Sequence, residues 1–492
     1  MWPYISAGST DKDYLRAAGP NEVRCVARES LGFYGTLVVG GIYEFAKPVD
    51  ITSISVYNHA LRRCVDTHPR LSSLIAAYNT DSPYYLFCPR MDLSQHVEIL
   101  NLEVSDANED TEAKSVMKYL PDILDKRLPT SIPSWKIVVL TFSDTRCFIA
   151  FTYSHALGDG LSGCAFHRTF LEALQEQRQE KDTDCIPKRR QLSPAFDTPE
   201  NLPISWAYLL SPLLGQYLPK WLSSLFGIKH ELNEVTPSTW TGTPIFYNPA
   251  TLRTGVELIA IDRDTVEDTL KLCRMNGSKL TGLLHQLFLD ALSASLPEPH
   301  TFDRFGGGTA MNMRPTVGVS NDEMGNFASG DFQIYPLQEK ASDSDGVFSW
   351  ELVKTITDRL ALRAKERQDQ PLGLLRYLLS VRAWTTSKIG AKREDSYAIS
   401  NLMSFQPLGK VDKCAIKEMI FCRPTDVAGG AALSVNVVSV RDGPMNITVS
   451  WQANGLEVGT YEDEVAFVGT VCSHVEASFA RLCKPMDRSK KP

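Results

Sequence analysis

His155, Asp159 and Gly160 fall in the string Ser154-His155-Ala156-Leu157-Gly158-Asp159-Gly160, an HxxxDG pattern, and these are the residues whose types and spacing could carry a reaction. An imidazole titrates near neutral pH and takes a proton from a hydroxyl or an amine once its tautomer and ring angle are fixed. Asp159 can turn out of the pocket to anchor the loop, and the glycines at 158 and 160 permit a tight turn. Two rival chemistries fit less well. A nucleophilic hydrolase calls for a GxSxG elbow, and Ser162 in Gly160-Leu161-Ser162-Gly163 lacks that spacing. A metal site would draw on His155, Asp159 and His167, but two glycines make 155–160 a loop rather than one helical face, and no metal is expected.

Elements on both sides must position this string. The apolar run 148–153 reads as a strand ending at the histidine, the second arm of a hairpin formed by 135–142 and 147–153. After it, Leu161, Ala165, Phe170, Leu171 and Leu174 recur at helical spacing, and Asp159 is placed to cap that helix. Upstream lie a strand at 35–45, a helix at 51–67 and extended runs at 71–78 and 84–88. Residues 175–203 turn polar and proline-containing, as a linker does. A second series follows: a strand at 256–261, helices at 266–275 and 280–296, strands at 309–313 and 332–335, helices at 350–367 and 372–386, four extended runs between 397 and 452, and a closing helix at 461–483. The reading is α/β (α+β), two halves each mixing a sheet with helices, divided as 1–175, a linker and apolar covering segment at 176–250, and 251–492. His68, His167 and His285 read as packed histidines rather than catalytic ones.

Composition narrows the function classes. The chain has 492 residues, 43% apolar and 22% charged, the balance of a soluble globular protein, and its formal charge of −7 argues against a nucleic-acid partner. Eleven cysteines occur without a CxxC pair, so neither zinc nor a disulfide framework is expected and a reducing compartment is the natural setting. No secretory signal is visible at the N-terminus, and a cytoplasmic monomer is the expected state. No run reaches the roughly 20 apolar residues of a membrane-spanning helix. The uncharged run 204–219, from Ile204 to Pro219, either covers the core or a tunnel mouth, or makes weak interfacial membrane contact through its aromatic residues.

His155 to Gly160 resembles the HxxxDG motif of the acyl-CoA-dependent acyltransferase superfamily, which includes chloramphenicol acetyltransferase, plant BAHD enzymes, peptide-synthetase condensation domains and fungal alcohol acetyltransferases. Further segments agree in order: Arg62 to Leu71 (RRCVDTHPRL), Asn312-Met313-Arg314-Pro315, Met324-Gly325-Asn326-Phe327 and Ile399-Ser400-Asn401-Leu402. Gly19-Pro20-Asn21-Glu22 and Leu31-Gly32-Phe33-Tyr34 look closest to the fungal alcohol acetyltransferases. Two features depart from relatives: Ser154 stands where condensation domains carry a second histidine, and no DFGWG segment of the plant type occurs.

The resemblance implies two chloramphenicol-acetyltransferase-like domains around a central tunnel. It implies an O-acyltransferase, in the first instance an O-acetyltransferase of fungal secondary metabolism, that moves an acyl group from acetyl-CoA or another acyl-CoA to a small alcohol, with no bound cofactor. His155 would be the general base, Asp159 the structural anchor of the loop with Arg314 as its partner (Arg304 being another), and Gly160 would leave room at the turn. Asn326 would shape a turn or line the tunnel, with Ser400 and Asn401 lining the CoA path. Two alternatives remain open: a condensation-like or amide-forming enzyme fed by a carrier-bound acyl group, and a catalytically silent binding or scaffold relative.

Overall fold

Strand Arg146–Tyr153 is buried at every position but its first. Eight residues apolar on both faces are stable only inside a sheet covered on both sides. The computed structural model, which describes residues 12–101, 112–210, 235–338, 348–408 and 412–483, places it there. Five strands run in the order Cys414–Cys422, Leu37–Phe45, Arg146–Tyr153, Trp135–Thr141 and Val97–Asn101. Alternation along Leu37–Phe45 sends Val39 and Tyr43 to one face, with Tyr57, Leu61, Phe166 and Phe170 of helices Ser55–Thr67 and Gly160–Gln175. Val38 and Ile42 face the other way, onto Val116 and Leu120 of helix Glu112–Asp125.

The second sheet has seven strands. Its path is Thr239–Trp240, Arg304–Asn312, Tyr397–Phe405, Leu433–Val440, Met445–Gln452 and Thr254–Ile261, and Ala328–Pro336 pairs with Arg304–Asn312 off that path. Helices Leu280–Ser295 and Tyr461–Leu482 cover it through Leu284, Phe288, Val468 and Val475. The molecule is thus a two-lobe α/β fold, each lobe a mixed sheet with helices.

One strand crosses between the lobes. Cys414–Cys422 lies far along the chain but pairs antiparallel with Leu37–Phe45 of the first sheet. Carbonyls toward its C-terminal end and just past it accept hydrogen bonds from the second sheet. Asn446 Nδ2 donates to the Met419 carbonyl (3.0 Å), Thr448 Oγ1 to Phe421 (2.6 Å) and Ser450 Oγ to Arg423 (2.8 Å), all from strand Met445–Gln452 of the second sheet. An edge that would otherwise invite pairing with another chain is thereby used to join the lobes.

Several elements differ from the sequence reading. The helix read at 372–386 is two pieces, a 3-10 turn at Pro371–Tyr377 and an α-helix at Val381–Ser387, because Ser380 caps a new start by accepting from the Ala383 N–H (3.0 Å). Helices Pro20–Leu31 and Glu112–Asp125 were not read; the second carries Pro121 in its interior, which hides its period. Of the run 204–219, the part up to residue 210 is described and leaves Trp206 exposed, while the rest lies outside the described residues. Among the described residues no helix is long and apolar enough to cross a membrane.

Candidate active site

His155 follows directly on strand Arg146–Tyr153, whose register against Leu37–Phe45 and Trp135–Thr141 fixes where the chain leaves the sheet. From that exit the loop is tied down residue by residue. The Ser154 hydroxyl donates to Glu29 Oε2 (2.6 Å) and the His155 N–H to Glu29 Oε1 (2.8 Å), so one buried carboxyl holds two consecutive residues. The Ala156 carbonyl accepts from the Tyr85 hydroxyl (2.7 Å) and from Arg70 (3.4 Å), whose other arm binds Glu22 (2.8 Å). Tyr153 closes the loop by donating to the Asp159 carbonyl (2.7 Å).

Asp159, although it borders a cavity that His155 also lines, commits its carboxylate to the loop and its partners. It is the N-cap of helix Gly160–Gln175, accepting from the Ser162 N–H, and its two oxygens take the guanidinium fork of Arg314 at 2.8 and 2.9 Å. Burial opposes the charge on Asp159, but Arg314 and the Phe327 and Ser162 amides outweigh it and lower its pKa. Arg314 is fully buried and also donates to the Glu323 and Gly325 carbonyls (2.9 and 3.1 Å), which fastens segment 323–327 beneath the HxxxDG loop. Arg304, the other arginine considered, is engaged instead with Asp303.

That segment carries Asn326 to the histidine. Its Nδ2 donates to the His155 carbonyl (2.6 Å), which fixes Oδ1 as the acceptor facing the ring Nδ1 at 3.0 Å. An acceptor there places the ring proton on Nδ1 and leaves a lone pair on Nε2. Nε2 makes no hydrogen bond to the described residues, and His155 lines a cavity of about 1460 Å³. Burial first, and the Arg28 charge second, hold the His155 pKa down to about 4, against a pull upward from its own backbone and Glu29. The ring is neutral at pH 7.

Ser400 and Asn401 line the same cavity, on strand Tyr397–Phe405. Asn401 accepts from the Met403 N–H (2.7 Å), at a bulge in that strand. Gly160 also borders the cavity. Neither it nor Gly158 adopts the left-handed backbone that a glycine turn would use. What they supply is space: a Cβ on Gly160 would lie 2.5 Å from Leu402 Cδ2, and one on Gly158 2.4 Å from Ser162 Oγ. His167 and His285 are fully buried and bonded at both ring nitrogens, His167 to Tyr43 and Val39, His285 to Tyr397 and Thr309.

Helix Pro20–Leu31 contributes residues that sequence reasoning missed. Glu29 is one; burial pushes its carboxyl up to about 7. Tyr34, just past the helix, sets its ring 5.7 Å from that of His155, and the Arg28 guanidinium lies 4.7 Å over Tyr34 while pairing with Asp426. The segments Gly19 to Glu22 and Leu31 to Tyr34 bracket this helix, which was the available signal.

The alcohol acetyltransferase family pattern matches residues 24–470. The chain is similar to FCK4 of Fusarium pseudograminearum, described as a probable alcohol acetyltransferase (24% identity, 91% of this chain and 92% of that protein). It is similar also to crmB of Aspergillus fumigatus, described in the same terms (21% identity, 90% and 96%). In structure it resembles TRI3, the trichothecene 15-O-acetyltransferase of Fusarium sporotrichioides (TM-score 0.65, 11% identity, 94% of each chain). The first condensation domain of the calcium-dependent antibiotic synthetase shares the fold as well (TM-score 0.59, 14% identity, 96% and 98%).

Proposed function

The chain belongs to the alcohol acetyltransferase family, and from that premise we propose that it transfers the acyl group of an acyl-CoA, in the first instance acetyl-CoA, to the hydroxyl of a small alcohol with His155 as general base. The observation that carries the assignment is the double contact of Asn326, which commits Nδ1 as a donor and leaves Nε2 free to accept a proton. Nε2 takes the hydroxyl proton as the alcohol oxygen attacks the thioester carbon. The tetrahedral intermediate then collapses, the carbon–sulfur bond breaks, and the departing thiolate receives the proton from Nε2. The thioester is already activated, so the protein has to orient the two substrates and deprotonate one of them; no covalent acyl-enzyme is needed.

Asp159, Arg314 and Gly160 serve this step at one remove. The ion pair fixes the loop, and the missing side chain at 160 lets Leu402 approach the helix start. Ser400 and Asn401 are read as lining residues on the CoA path. The kinship with fungal FCK4 and crmB supports a place in secondary metabolism. We read the chain as an N-terminal unit at 1–175 and a C-terminal unit at 251–492, which exchange strand Cys414–Cys422.

The test is release of free CoA thiol from acetyl-CoA in the presence of a panel of alcohols and amines, with and without His155→Ala. Turnover with alcohols that collapses in the variant supports the reading. A variant that keeps most of the turnover refutes the base, and activity confined to acyl groups presented on a carrier protein refutes the donor.

A further inference from the structure

Resting on that reading, we propose that the alcohol acceptor is a hydroxy acid, and that Arg24 binds its carboxylate while its hydroxyl reaches His155.

Arg24 borders the cavity that His155 lines. Its only hydrogen bond among the described residues is from Nε to Asn21 Oδ1 (3.1 Å), which pins the base of the fork and leaves both terminal nitrogens without a partner. Neither terminal nitrogen is fully buried, since neither falls among the buried unbonded atoms. A planar fork held at one corner, with two parallel N–H donors free, is shaped for a carboxylate.

The Asp426 carboxylate acts on Arg24 but makes no ion pair with it. Arg28, one turn along the same helix face, already takes Asp426 as its ion-pair partner. Arg423 also borders the cavity with its Nε held by an asparagine, Asn436 (2.9 Å), but the Asp395 carboxylate acts on it. Lys392 and Arg393, which also border the cavity, donate to the Thr236 and Pro237 carbonyls and to Gln452, whereas Arg24 combines two unbonded terminal nitrogens with a charge that is felt at His155. Burial and the like charge of Arg28 both press on Arg24, and an anionic ligand would relieve both.

Position tells which substrate brings the anion. Arg24 and Arg28 are four residues apart on one helix, about 6 Å along its axis. Arg28 lies over Tyr34, and Tyr34 lies against His155. The Arg24 charge is felt at the His155 ring, so an anion on Arg24 would lie on the histidine's side of the cavity, whereas the phosphates of CoA sit at the far end of the pantetheine arm from the thioester.

The experiment measures kcat/KM for short, medium and long ω-hydroxy acids, each paired with its methyl ester, with the plain alcohol of the same length alongside. The wild type should favour at least one acid over its ester by about 10- to 100-fold, the worth of a charge-assisted contact. Arg24→Gln should lose that preference through KM for the acid, and Arg24→Lys should restore part of it. Melting curves that superimpose on wild type exclude a folding defect. Plain alcohols acylated with no acid preference in any pair overturn the assignment, as does a preference that survives Arg24→Gln. A variant that raises KM for acetyl-CoA and leaves the acid-to-ester ratio alone gives the cation to a CoA phosphate instead. No CoA release with any alcohol would sink the transfer reading itself, a result distinct from a flat ratio.

Discussion

Asn326 grips His155 at two points, accepting at 3.0 Å from the ring Nδ1 and donating at 2.6 Å to the carbonyl of the same residue. The two bonds come from opposite ends of one amide, so the amide cannot flip without breaking both. The tautomer of the His155 ring is therefore set by a residue from the other lobe.

Removing that grip should cost rate rather than donor affinity. Asn326→Ala is expected to lower kcat about tenfold, the worth of one hydrogen bond, with KM for acetyl-CoA little changed. His155→Ala should lose about 100- to 10,000-fold. Steady-state thiol release measures both, and an Asn326→Ala enzyme with wild-type kcat would show that the ring does not depend on the amide.

The Asp159–Arg314 pair is expected to govern stability. Arg314→Met leaves a buried carboxylate without its counter-charge, at a cost of about 3–5 kcal/mol by urea unfolding. Because Asp159 has a lowered pKa, its contribution is present above the unfolded carboxyl pKa and is lost as pH falls through the folded one. Arg314→Met should therefore be least harmful in acid. A pH-independent penalty would argue against this account.

Glu29 should give opposite signs in rate and stability. Its folded pKa, about 7, lies above the unfolded value, so its stabilising contribution is present at low pH and disappears as pH rises through 7. The same ionisation raises the basicity of His155, and turnover should climb over that interval. Glu29→Gln is expected to flatten both trends between pH 5 and pH 8 in melting and rate profiles. His155, held near pH 4, should add no acid limb at its ordinary 6.5.

Gly160→Ala places a methyl 2.5 Å from Leu402 Cδ2 and 3.1 Å from Phe421 Cζ. Overpacking of this kind costs about 1–3 kcal/mol and shifts the start of the helix. The variant should lose activity, and Leu402→Ala in the same chain should recover part of it. If the pair is no better than the single change, crowding against Leu402 is not the cause.

How much of this could be read from residues alone differs by kind of contact. The strand that ends two residues before His155 and the helix that Asp159 caps were legible because periodicity and a capping residue are local signals. Arg314 and Asn326 were legible only as family segments: nothing in Asn-x-Arg-Pro says that the arginine is fully buried or that the asparagine reaches a ring 171 residues away. Glu29 left no signal of its own beyond the family segments that bracket its helix, since a lone glutamate reads as solvated until its partner at 154–155 is known. The glycines were read as turn formers and Gly160 also as leaving room; their backbones are ordinary, and it is the room that a neighbour's side chain requires. Strand 414–422 was read as extended, but which sheet it joins is set by side chains of strand Met445–Gln452 that sequence spacing does not pair with it.

Strand Cys414–Cys422 also sets a timetable for synthesis. The other four strands of its sheet are complete by residue 153, yet the edge at Leu37–Phe45 is closed only by a segment ending at 422. At ribosomal speeds that segment emerges roughly 15–50 s later. Through that interval the nascent chain displays the backbone of Leu37–Phe45 along an open edge, with apolar residues on both faces. A chain cut short before residue 414 has a first sheet that cannot be finished from its own residues. Yield in a heterologous host is then a matter of elongation rate and chaperone cover as much as of the finished protein's stability.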